Sequence, residues 1–303
     1  MRTMQLSIWP NTGNRWDVIH ALASHAEQTG WDGVWIADHF MPAFGGPGDP
    51  TNECFALVAA LAASVPRVRI GTLVCGNTYR NPAVLTKQAA TVDVVSDGRF
   101  VLGLGAGWQE SEHTAYGIAF PTVTQRLDML DEACHIVKAL TTNDETTFEG
   151  RHYQLRDAPL SPKPVQDPMP LLVGGAGERR TLRIAARYAD EWNCWGTPDV
   201  LAHKNEVLDR YCADIGRDPS TIRRSTQALV HLSEDRALLD ELRGAPQGMP
   251  ALIGTPDELA DRFREYAAAG VDEFVVSDRP LGTNVGECID TMDRILAIVR
   301  AST

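Results

Sequence analysis

Short apolar segments alternate with longer amphipathic segments eight times along this chain, and this alternation restricts the possible folds more than any other feature. The short segments are rich in β-branched and aromatic residues, which predicts strands, and the longer ones repeat apolar residues every three or four positions, which predicts helices. The predicted strands are residues 5–9, 33–37, 68–74, 100–104, 171–173, 191–194, 224–232 and 274–277. Eight strand–helix units in 303 residues predict an α/β fold, a (β/α)8 TIM barrel, with an open doubly wound sheet as the alternative.

The predicted helices are residues 16–29, 53–63, 82–95, 124–140, 178–188, 197–215, 255–269 and 286–300. Three longer segments interrupt the alternation and predict insertions after strands 2, 4 and 7, at residues 41–50, 141–170 and 233–254. The second insertion contains a predicted hairpin around Glu149-Gly150-Arg151, and the third a short helix. No change of composition divides the chain, so one domain over residues 1–303 is expected.

Charge and cysteine usage exclude several classes of function. The net charge is −12 and no basic run is present, so nucleic acid and acidic membrane surfaces are poor partners. The six cysteines form no CxxC pair and most lie in apolar segments, which favours buried free thiols in a reducing cytosol. The chain shows no signal peptide and no apolar run that could span a bilayer. We therefore expect a cytoplasmic protein with a small-molecule partner.

In a barrel the loops that follow the strands form the active face, so the residues at the strand ends are the functional candidates. The second strand ends in Asp38-His39, a carboxylate and an imidazole followed by a Gly/Pro-rich loop. A histidine at such a position is as often structural as functional. The candidates at the other strand ends are Trp9, Asn77, Tyr79, Gly105, Gly107, Trp108, Glu110, Trp195 and Asp278-Arg279.

Two glycine-rich turns suggest a cofactor. The turn at 103–107 lacks the GxGxxG dinucleotide pattern, and its glycines either admit a flat ligand or let the loop turn. The turn at 174–177 lies between a predicted strand and helix, where free N–H groups and the helix dipole favour a phosphate over a plain tight turn. Arg179 and Arg180 add positive charge. A phosphate site beside exposed aromatic residues suits a flat heteroaromatic cofactor.

Other chemistries lack their signatures. A metal site needs histidines and carboxylates that converge from several strands, yet the first strand offers none and His113, His135 and His231 show no ligand spacing with His39. Nucleophilic hydrolysis also lacks its signature, since no GxSxG elbow is present. We therefore expect neither a metal enzyme nor a serine hydrolase.

Four motifs resemble the bacterial luciferase-like monooxygenase superfamily over nearly the whole chain. They are Trp35-Ile36-Ala37-Asp38-His39-Phe40, Gly71-Thr72-Leu73-Val74 with Arg80-Asn81-Pro82-Ala83, Gly98-Arg99-Phe100 with Leu102-Gly103-Leu104-Gly105-Ala106-Gly107-Trp108, and Arg187-Tyr188-Ala189-Asp190-Glu191-Trp192-Asn193. The string Gly107-Trp108-Gln109-Glu110-Ser111-Glu112-His113 with Tyr116-Gly117-Ile118 is similar to the branch that uses the deazaflavin coenzyme F420. Sister branches use FMN.

The resemblance implies a homodimeric barrel whose mouth holds the cofactor ring. It implies a non-proline cis peptide at Leu73-Val74 behind the ring, a phosphate on the turn after strand five, His39 as proton donor or acceptor and Asp38 as the residue that positions or polarises it. The residues expected at the cofactor are Trp9, Asp38, His39, Leu73, Val74, Asn77, Gly105, Gly107, Gly174, Gly175, Ala176 and Gly177.

The chain also departs from its sugar-phosphate dehydrogenase relatives. Trp108 replaces their glutamate, with Glu110 two residues later as the reserve acid or base, and Phe44 replaces their tryptophan. Sugar-phosphate oxidation is therefore not expected, and Trp108, Trp195 and Phe44 are predicted to line the substrate pocket. We predict hydride transfer between F420 and a small organic substrate. The alternatives are a two-component monooxygenase that uses reduced FMN and oxygen, and a non-catalytic flavin- or deazaflavin-binding protein.

Overall fold

A closed parallel barrel of eight strands forms the centre of the molecule in a computed structural model that describes residues 4–43, 45–46 and 48–302. In chain order the strands are β1 (Gln5–Trp9), β2 (Gly33–Ile36), β3 (Arg69–Thr72), β4 (Cys75–Gly76), β5 (Phe100–Gly105), β6 (Glu145–Glu149), β7 (Gln154–Pro159), β8 (Leu171–Gly174), β9 (Glu191–Asn193), β10 (Arg223–Leu232), β11 (Ala251–Gly254) and β12 (Glu273–Ser277). Around the barrel the order is β1, β2, β3, β5, β8, β9, β10 and β12, and β12 pairs with β1 to close the ring. The predicted (β/α)8 barrel is confirmed.

Helices cover the outside of the barrel at the predicted positions. They are α1 (Trp16–Thr29), α2 (Cys54–Ser64), α3 (Pro82–Val95), α4 (Glu110–Ala115), α5 (Val123–Thr142), α6 (Thr181–Tyr188), α7 (Pro198–Asp214), α8 (Arg236–Gly244), α9 (Pro256–Ala268) and α10 (Val285–Ser302). Pro82 follows the cap residue Asn81 and opens α3, while Thr255 and Glu258 form a reciprocal capping box at α9. These caps satisfy backbone N–H groups that a helix start leaves unpaired.

Side-chain alternation along each strand separates two apolar layers. Leu6 and Ile8 of β1 pack outward against the helices, in a large core between barrel and helices. Trp35 of β2 points inward instead, and packs with the barrel-interior residues Leu73, Val101, Leu172 and Val275. Burying both layers is the main driving force for the fold, at roughly 25 cal/mol per Å² of apolar surface.

Three elements differ from the sequence prediction. The insertion after β10 contains not only α8 but also β11, a four-residue strand that pairs in parallel with residues 229–232. The loop after β5 contains α4, a six-residue helix too short for its periodicity to be recognised. α6 begins at Thr181 and not at residue 178, so its N-terminus lies further from the glycine turn than expected. The hairpin predicted in the second insertion is present as β6 and β7.

The opposite end of the barrel, where the parallel strands begin, is closed by charged residues. We call Arg69, Glu191, Arg223 and Glu273 the basal cluster; each is the first residue of its strand. Arg69 bonds Glu191 and, at 3.0 Å, Glu273, while Arg223 lies 3.7 Å from Glu273. Burial alone would raise the pKa of Glu273, but the two arginines outweigh it and hold that pKa below its usual range.

The remaining predictions concern cysteines and membranes. All six cysteines are buried and unpaired, as the sequence predicts. Burial raises the pKa of the Cys194 thiol to about 11. None of the described helices is both long and apolar enough to cross a bilayer.

Candidate active site

The loops that follow the barrel strands surround a cavity of about 710 Å³. Its position matches the end of a (β/α)8 barrel where ligands bind. The sequence-predicted residues that line it are Trp9, Asp38, His39, Leu73, Val74, Gly105, Gly107, Trp108, Gly174, Gly175, Ala176 and Trp195. Residues from most of the strand ends therefore converge on one cavity.

Three predicted residues have a different position. Glu110 lies exposed at the start of α4 and does not line the cavity, so it is not the reserve acid or base that the sequence suggested. Asn77 is buried outside the cavity lining, where its Nδ2 lies 3.3 Å from the Tyr153 hydroxyl. Gly177 is exposed beside the cavity. Phe44 lies outside the described residues.

Glu112, which sequence reasoning missed, is the carboxylate that holds His39. It is fully buried, and its Oε1 lies 2.8 Å from Nδ1 of His39. Its Oε2 accepts hydrogen bonds from the Phe40 N–H at 2.7 Å and the Met41 N–H at 3.3 Å, and the Tyr79 hydroxyl also donates to Glu112. We call His39, Tyr79 and Glu112 the mouth cluster.

Electrostatics in the mouth cluster keep Glu112 ionised. Burial alone would raise the pKa of Glu112, but the hydrogen bonds from His39 and Tyr79 outweigh it and lower that pKa. The pKa of Tyr79 is well above its usual value because of burial and then its bond to Glu112. A carboxylate can only accept, so Nδ1 of His39 carries a hydrogen. Nε2 of His39 has no hydrogen bond to any described residue.

The helix α4 holds Glu112 in place through its neighbour His113. His113 is buried, with Nδ1 2.7 Å from the Gln109 carbonyl oxygen and Nε2 2.6 Å from the Thr78 hydroxyl. The loop after β4 thus contacts the loop after β5, and this contact fixes which face of α4 turns inward. The adjacent pair Glu112-His113 was visible in the sequence, but its burial depends on this contact.

Asp38 does not position His39, contrary to the prediction. Its two oxygens accept hydrogen bonds from Arg80, at 2.7 and 3.0 Å, and Arg80 also bonds Glu53 at 2.6 Å. Burial would lower the pKa of Arg80, but the bonds to Asp38 raise it above its usual value. Because Arg80 binds both carboxylate oxygens of Asp38, an arrangement we call the Asp38–Arg80 fork, Asp38 anchors the loop after β2. Glu112 is the residue that positions His39, the role that the sequence predicted for Asp38.

Val74 forms a wall of the cavity, and glycines make room for it. The expected cis peptide is present between Leu73 and Val74. A Cβ atom on Gly105 would lie 2.8 Å from Cγ2 of Val74, and one on Gly174 would lie 2.9 Å from both of its Cγ atoms. On Gly103 it would lie 2.0 Å from the Thr72 carbonyl oxygen. Gly103, Gly105 and Gly174 therefore serve close packing around Val74, a reason that neither sequence interpretation contained.

The turn at 174–177 is partly available to a ligand. The Gly175 N–H already donates to the Asn193 carbonyl at 2.9 Å, so it is not free as predicted. The backbone of residues 175–177 is exposed, and Thr181 at the start of α6 lines the cavity. Arg180 does not face the turn, because it bonds Asp128 and the Thr124 carbonyl of α5. Arg179 is exposed.

Aromatic and amide side chains complete the cavity. Trp108 is 59% exposed and packs edge-on against His39 at 5.6 Å, and Trp195 is 38% exposed. Asn193 of β9 and Gln227 of β10 line the cavity and are nearly fully buried. Sequence reasoning missed both amides, and Gln227 follows four polar residues of its strand, so nothing in the local pattern distinguishes it.

Comparison with known proteins identifies the family. A sequence model described as luciferase-like monooxygenase matches residues 3–249. An F420-dependent glucose-6-phosphate dehydrogenase of Microbacterium testaceum is 36% identical over 266 residues, which cover 84% of this chain and 78% of that protein. A protein of the same name from Kineococcus radiotolerans is 34% identical over 220 residues, 71% of this chain and 64% of the relative, so the chain spans less than two thirds of that relative.

The fold has close structural relatives as well. The structure of an F420-dependent secondary alcohol dehydrogenase in complex with an F420-acetone adduct matches with a TM-score of 0.86, over 98% of this chain and 99% of the other. The sequence identity is 22%, so this likeness concerns the fold alone. The match of the family model over residues 3–249 shows that the chain belongs to the luciferase-like monooxygenase family.

Proposed function

We propose that this protein is an F420-dependent oxidoreductase that transfers a hydride between the deazaflavin and a small organic substrate. The observation that carries this proposal is a cavity lined both by Val74, which packs closely on glycines, and by an imidazole, His39, that a buried carboxylate orients. A planar redox cofactor needs the wall, and the proton that accompanies the hydride needs the imidazole. The relatives named F420-dependent support the choice of a deazaflavin over other cofactors.

The residues present fit a planar ring with a phosphate-bearing tail. Gly105 and Gly174 let Val74 lie against the cavity, which leaves a surface free of protruding side chains for a ring to stack on. The exposed backbone of residues 175–177 and the Thr181 hydroxyl suit the phosphate. When bound, the deazaflavin supplies the ring carbon that accepts or gives the hydride.

His39 holds and moves the proton. Glu112 fixes the hydrogen of the neutral imidazole on Nδ1, so Nε2 is the nitrogen that accepts a proton from the substrate side or returns it. The ionised carboxylate also stabilises the imidazolium while it carries that proton. Glu112 therefore acts as a positioning residue through His39, and it does not contact the reacting atoms itself.

Two further groups shape the reaction space. The Asp38–Arg80 fork, with Glu53 behind it, fixes the end of β2 from which His39 projects. Trp108 packs edge-on against the His39 ring at the cavity, where a bound substrate and cofactor would cover it from water. Exclusion of water preserves a hydride donor and strengthens the local electrostatics.

A fluorescence titration of the purified apoprotein with F420 and, separately, with FMN tests the proposal. We expect saturable F420 binding with FMN at least tenfold weaker, a difference of about 1.4 kcal/mol. The opposite preference would replace it with the second candidate, a two-component FMN monooxygenase, which the family's description favours. A deazaflavin activates oxygen poorly, so the cofactor decides between the two reactions.

The resemblance also predicts a homodimer, and the cysteine usage predicts a cytoplasmic location. Light scattering on the purified protein tests the first prediction, since the chain has a mass of 33.1 kDa and a dimer has twice that value. A monomer across the micromolar range would contradict it. Fractionation of the source cells tests the second.

A further inference from the structure

Gln227 is a polar side chain in an apolar part of the barrel interior. It is 5% exposed, lines the cavity, and its Oε1 atom is buried without a hydrogen-bond partner among the described residues. Its neighbour on β12 in register is Val275, which belongs to the interior apolar cluster. A buried amide oxygen without a partner is destabilising, so one that lines a ligand cavity calls for an explanation.

The barrel order places Gln227 across the cavity from the Val74 wall. β10 is four strands from β3 in either direction around the eight-stranded ring, so Gln227 and the Leu73–Val74 segment lie on opposite sides. This step rests on the proposed function: a cofactor ring stacked on Val74 turns its other face toward β10. The molecule that reacts with the ring occupies the space between that face and Gln227.

The charges around the cavity are unsuited to an anionic substrate. Among the described lining residues Arg279 is the only side chain with a permanent positive charge. That charge already acts on the neighbouring carboxylate of Asp278, whose pKa it helps to lower against the effect of burial. Arg80 is held by Asp38 and Glu53. A phosphate dianion buried here would lack the several cations that its desolvation requires.

We infer that Gln227 binds the polar group of an uncharged substrate, a hydroxyl, carbonyl or amide, and that it selects such molecules over phosphorylated ones. An amide offers one acceptor and two donors, so it can pair with each of these groups. A site built to hydrogen-bond a neutral group rejects molecules that lack the group or that carry an uncompensated charge.

Gln227→Met tests this inference, with Gln88→Met as the matched control. Methionine keeps the length of the side chain but removes its hydrogen-bonding groups. Gln88 on α3 also has a buried Oε1 without a partner, yet it lies outside the cavity lining. Both substitutions should raise the melting temperature of the apoprotein, by about 2–4 °C, because each removes an unpaired buried amide.

The substrate assay separates the two variants. The probes are cyclohexanol, glucose and glucose 6-phosphate with F420, and cyclohexanone with reduced F420, followed by F420 absorbance. We expect the wild type to use an uncharged probe in preference to glucose 6-phosphate. Gln227→Met should raise the KM for that probe at least tenfold while the F420 Kd stays within twofold, and Gln88→Met should change neither. Gln227→Asn, which keeps the amide but shortens it, should lie between wild type and Gln227→Met.

Several results would overturn the inference. They are a preference for glucose 6-phosphate, an unchanged KM in Gln227→Met and Gln227→Asn, a lower melting temperature in Gln227→Met, or no reaction with any uncharged probe while F420 is bound. A wild-type protein that does not bind F420 is a different result, because it contradicts the proposed function itself.

Discussion

The two ends of the barrel each bury charged groups, but they use them differently. In the basal cluster Arg69 bonds two carboxylates and Arg223 lies near one of them, and Ser7 and Trp35 also donate to Glu273. In the mouth cluster the carboxylate of Glu112 has four donors, yet the imidazole it holds keeps one nitrogen without a partner. Among the described residues, the unpaired atoms of the basal cluster, Oε2 of Glu191 and Nε of Arg223, are buried away from the cavity, whereas the unpaired Nε2 of the mouth cluster belongs to His39, which lines it.

This difference separates structural from functional burial of charge. A buried ion pair contributes little net stability, but loss of one partner is costly because the other charge remains buried. Basal substitutions should therefore affect stability and leave ligand binding intact, whereas mouth substitutions should affect activity beyond any loss of stability. The predictions below test this separation, from the largest expected effect to the smallest.

Arg69→Met should cause the largest loss of stability. It leaves Glu273 and Glu191 buried without their main partner, which should lower the free energy of unfolding by about 3–5 kcal/mol. Urea unfolding measures the loss, and F420 titration of the folded fraction should give the wild-type Kd. Arg262→Met, which breaks an exposed pair with Glu265, should cost under about 0.5 kcal/mol. An equal cost in the two variants would refute a special role for the basal cluster.

Glu112→Gln should cause the largest loss of activity. The amide no longer fixes the hydrogen of His39 on Nδ1, so kcat should fall by about 10²–10³-fold with little change in the F420 Kd. The pH profile of kcat should also change, because the imidazolium loses its carboxylate partner. Glu110→Gln, two residues away and exposed, is the matched control and should behave like the wild type. Normal turnover in Glu112→Gln, or a pH profile identical to that of the wild type, would contradict the positioning role.

Asp278 gives a pH-dependent contrast at the mouth end. Burial raises the pKa of Asp278 to about 6, although the Asn11 N–H donates to it. Its pKa in the unfolded chain is about 3.9, so its ionisation makes the folded state progressively less stable as the pH rises through about 6. The free energy of unfolding of Asp278→Asn, measured relative to that of the wild type, should therefore rise by on the order of 2–3 kcal/mol between pH 4 and pH 7.

Urea unfolding of both proteins across that pH range measures this gain, and any fixed cost of the lost hydrogen bond to Asn14 cancels in the difference. Asp218→Asn is the control of opposite sign. Asp218 is exposed, and the Ser220 N–H lowers its pKa, so its contribution to stability falls as the pH drops. A stability difference for Asp278→Asn that does not change with pH would show that its carboxyl is not perturbed.

Gly174→Ala should have the smallest effect and tests the Val74 wall. The new Cβ would lie 2.9 Å from both Cγ atoms of Val74 and push that side chain into the cavity. We expect F420 affinity to fall about tenfold, with a modest loss of stability from overpacking. Gly244→Ala at the end of α8 meets no atom within 4 Å and should leave the affinity unchanged. Equal F420 affinity in both variants would remove Val74 from the ring site.

Local patterns in the sequence were sufficient for the barrel and for one half of the site. The position of His39 at the end of an apolar strand followed from the rule that ligands bind at that edge, and the structure brings it to the cavity. The turn at 174–177 was found for the same reason. In both cases the relevant information lies within a few neighbouring residues.

The misses share a physical cause. Glu110 and Glu112 stand two positions apart on a short helix, and which of them is buried depends on the contact between His113 and Thr78 of another loop. Asp38 was paired with His39 because they are adjacent, whereas its partner Arg80 comes from the next strand end. Such contacts depend on how distant loops pack, and the spacing of residues in one segment does not determine them.

The most direct test of this account is a crystal structure of the protein with F420 bound. The account predicts the deazaflavin ring in van der Waals contact with Val74, its reactive edge beside His39, its phosphate at residues 175–177, and open space between the ring and Gln227. A ring stacked on the opposite wall against Gln227, or bound outside the barrel mouth, would contradict the central claim that the mouth cluster serves the reaction.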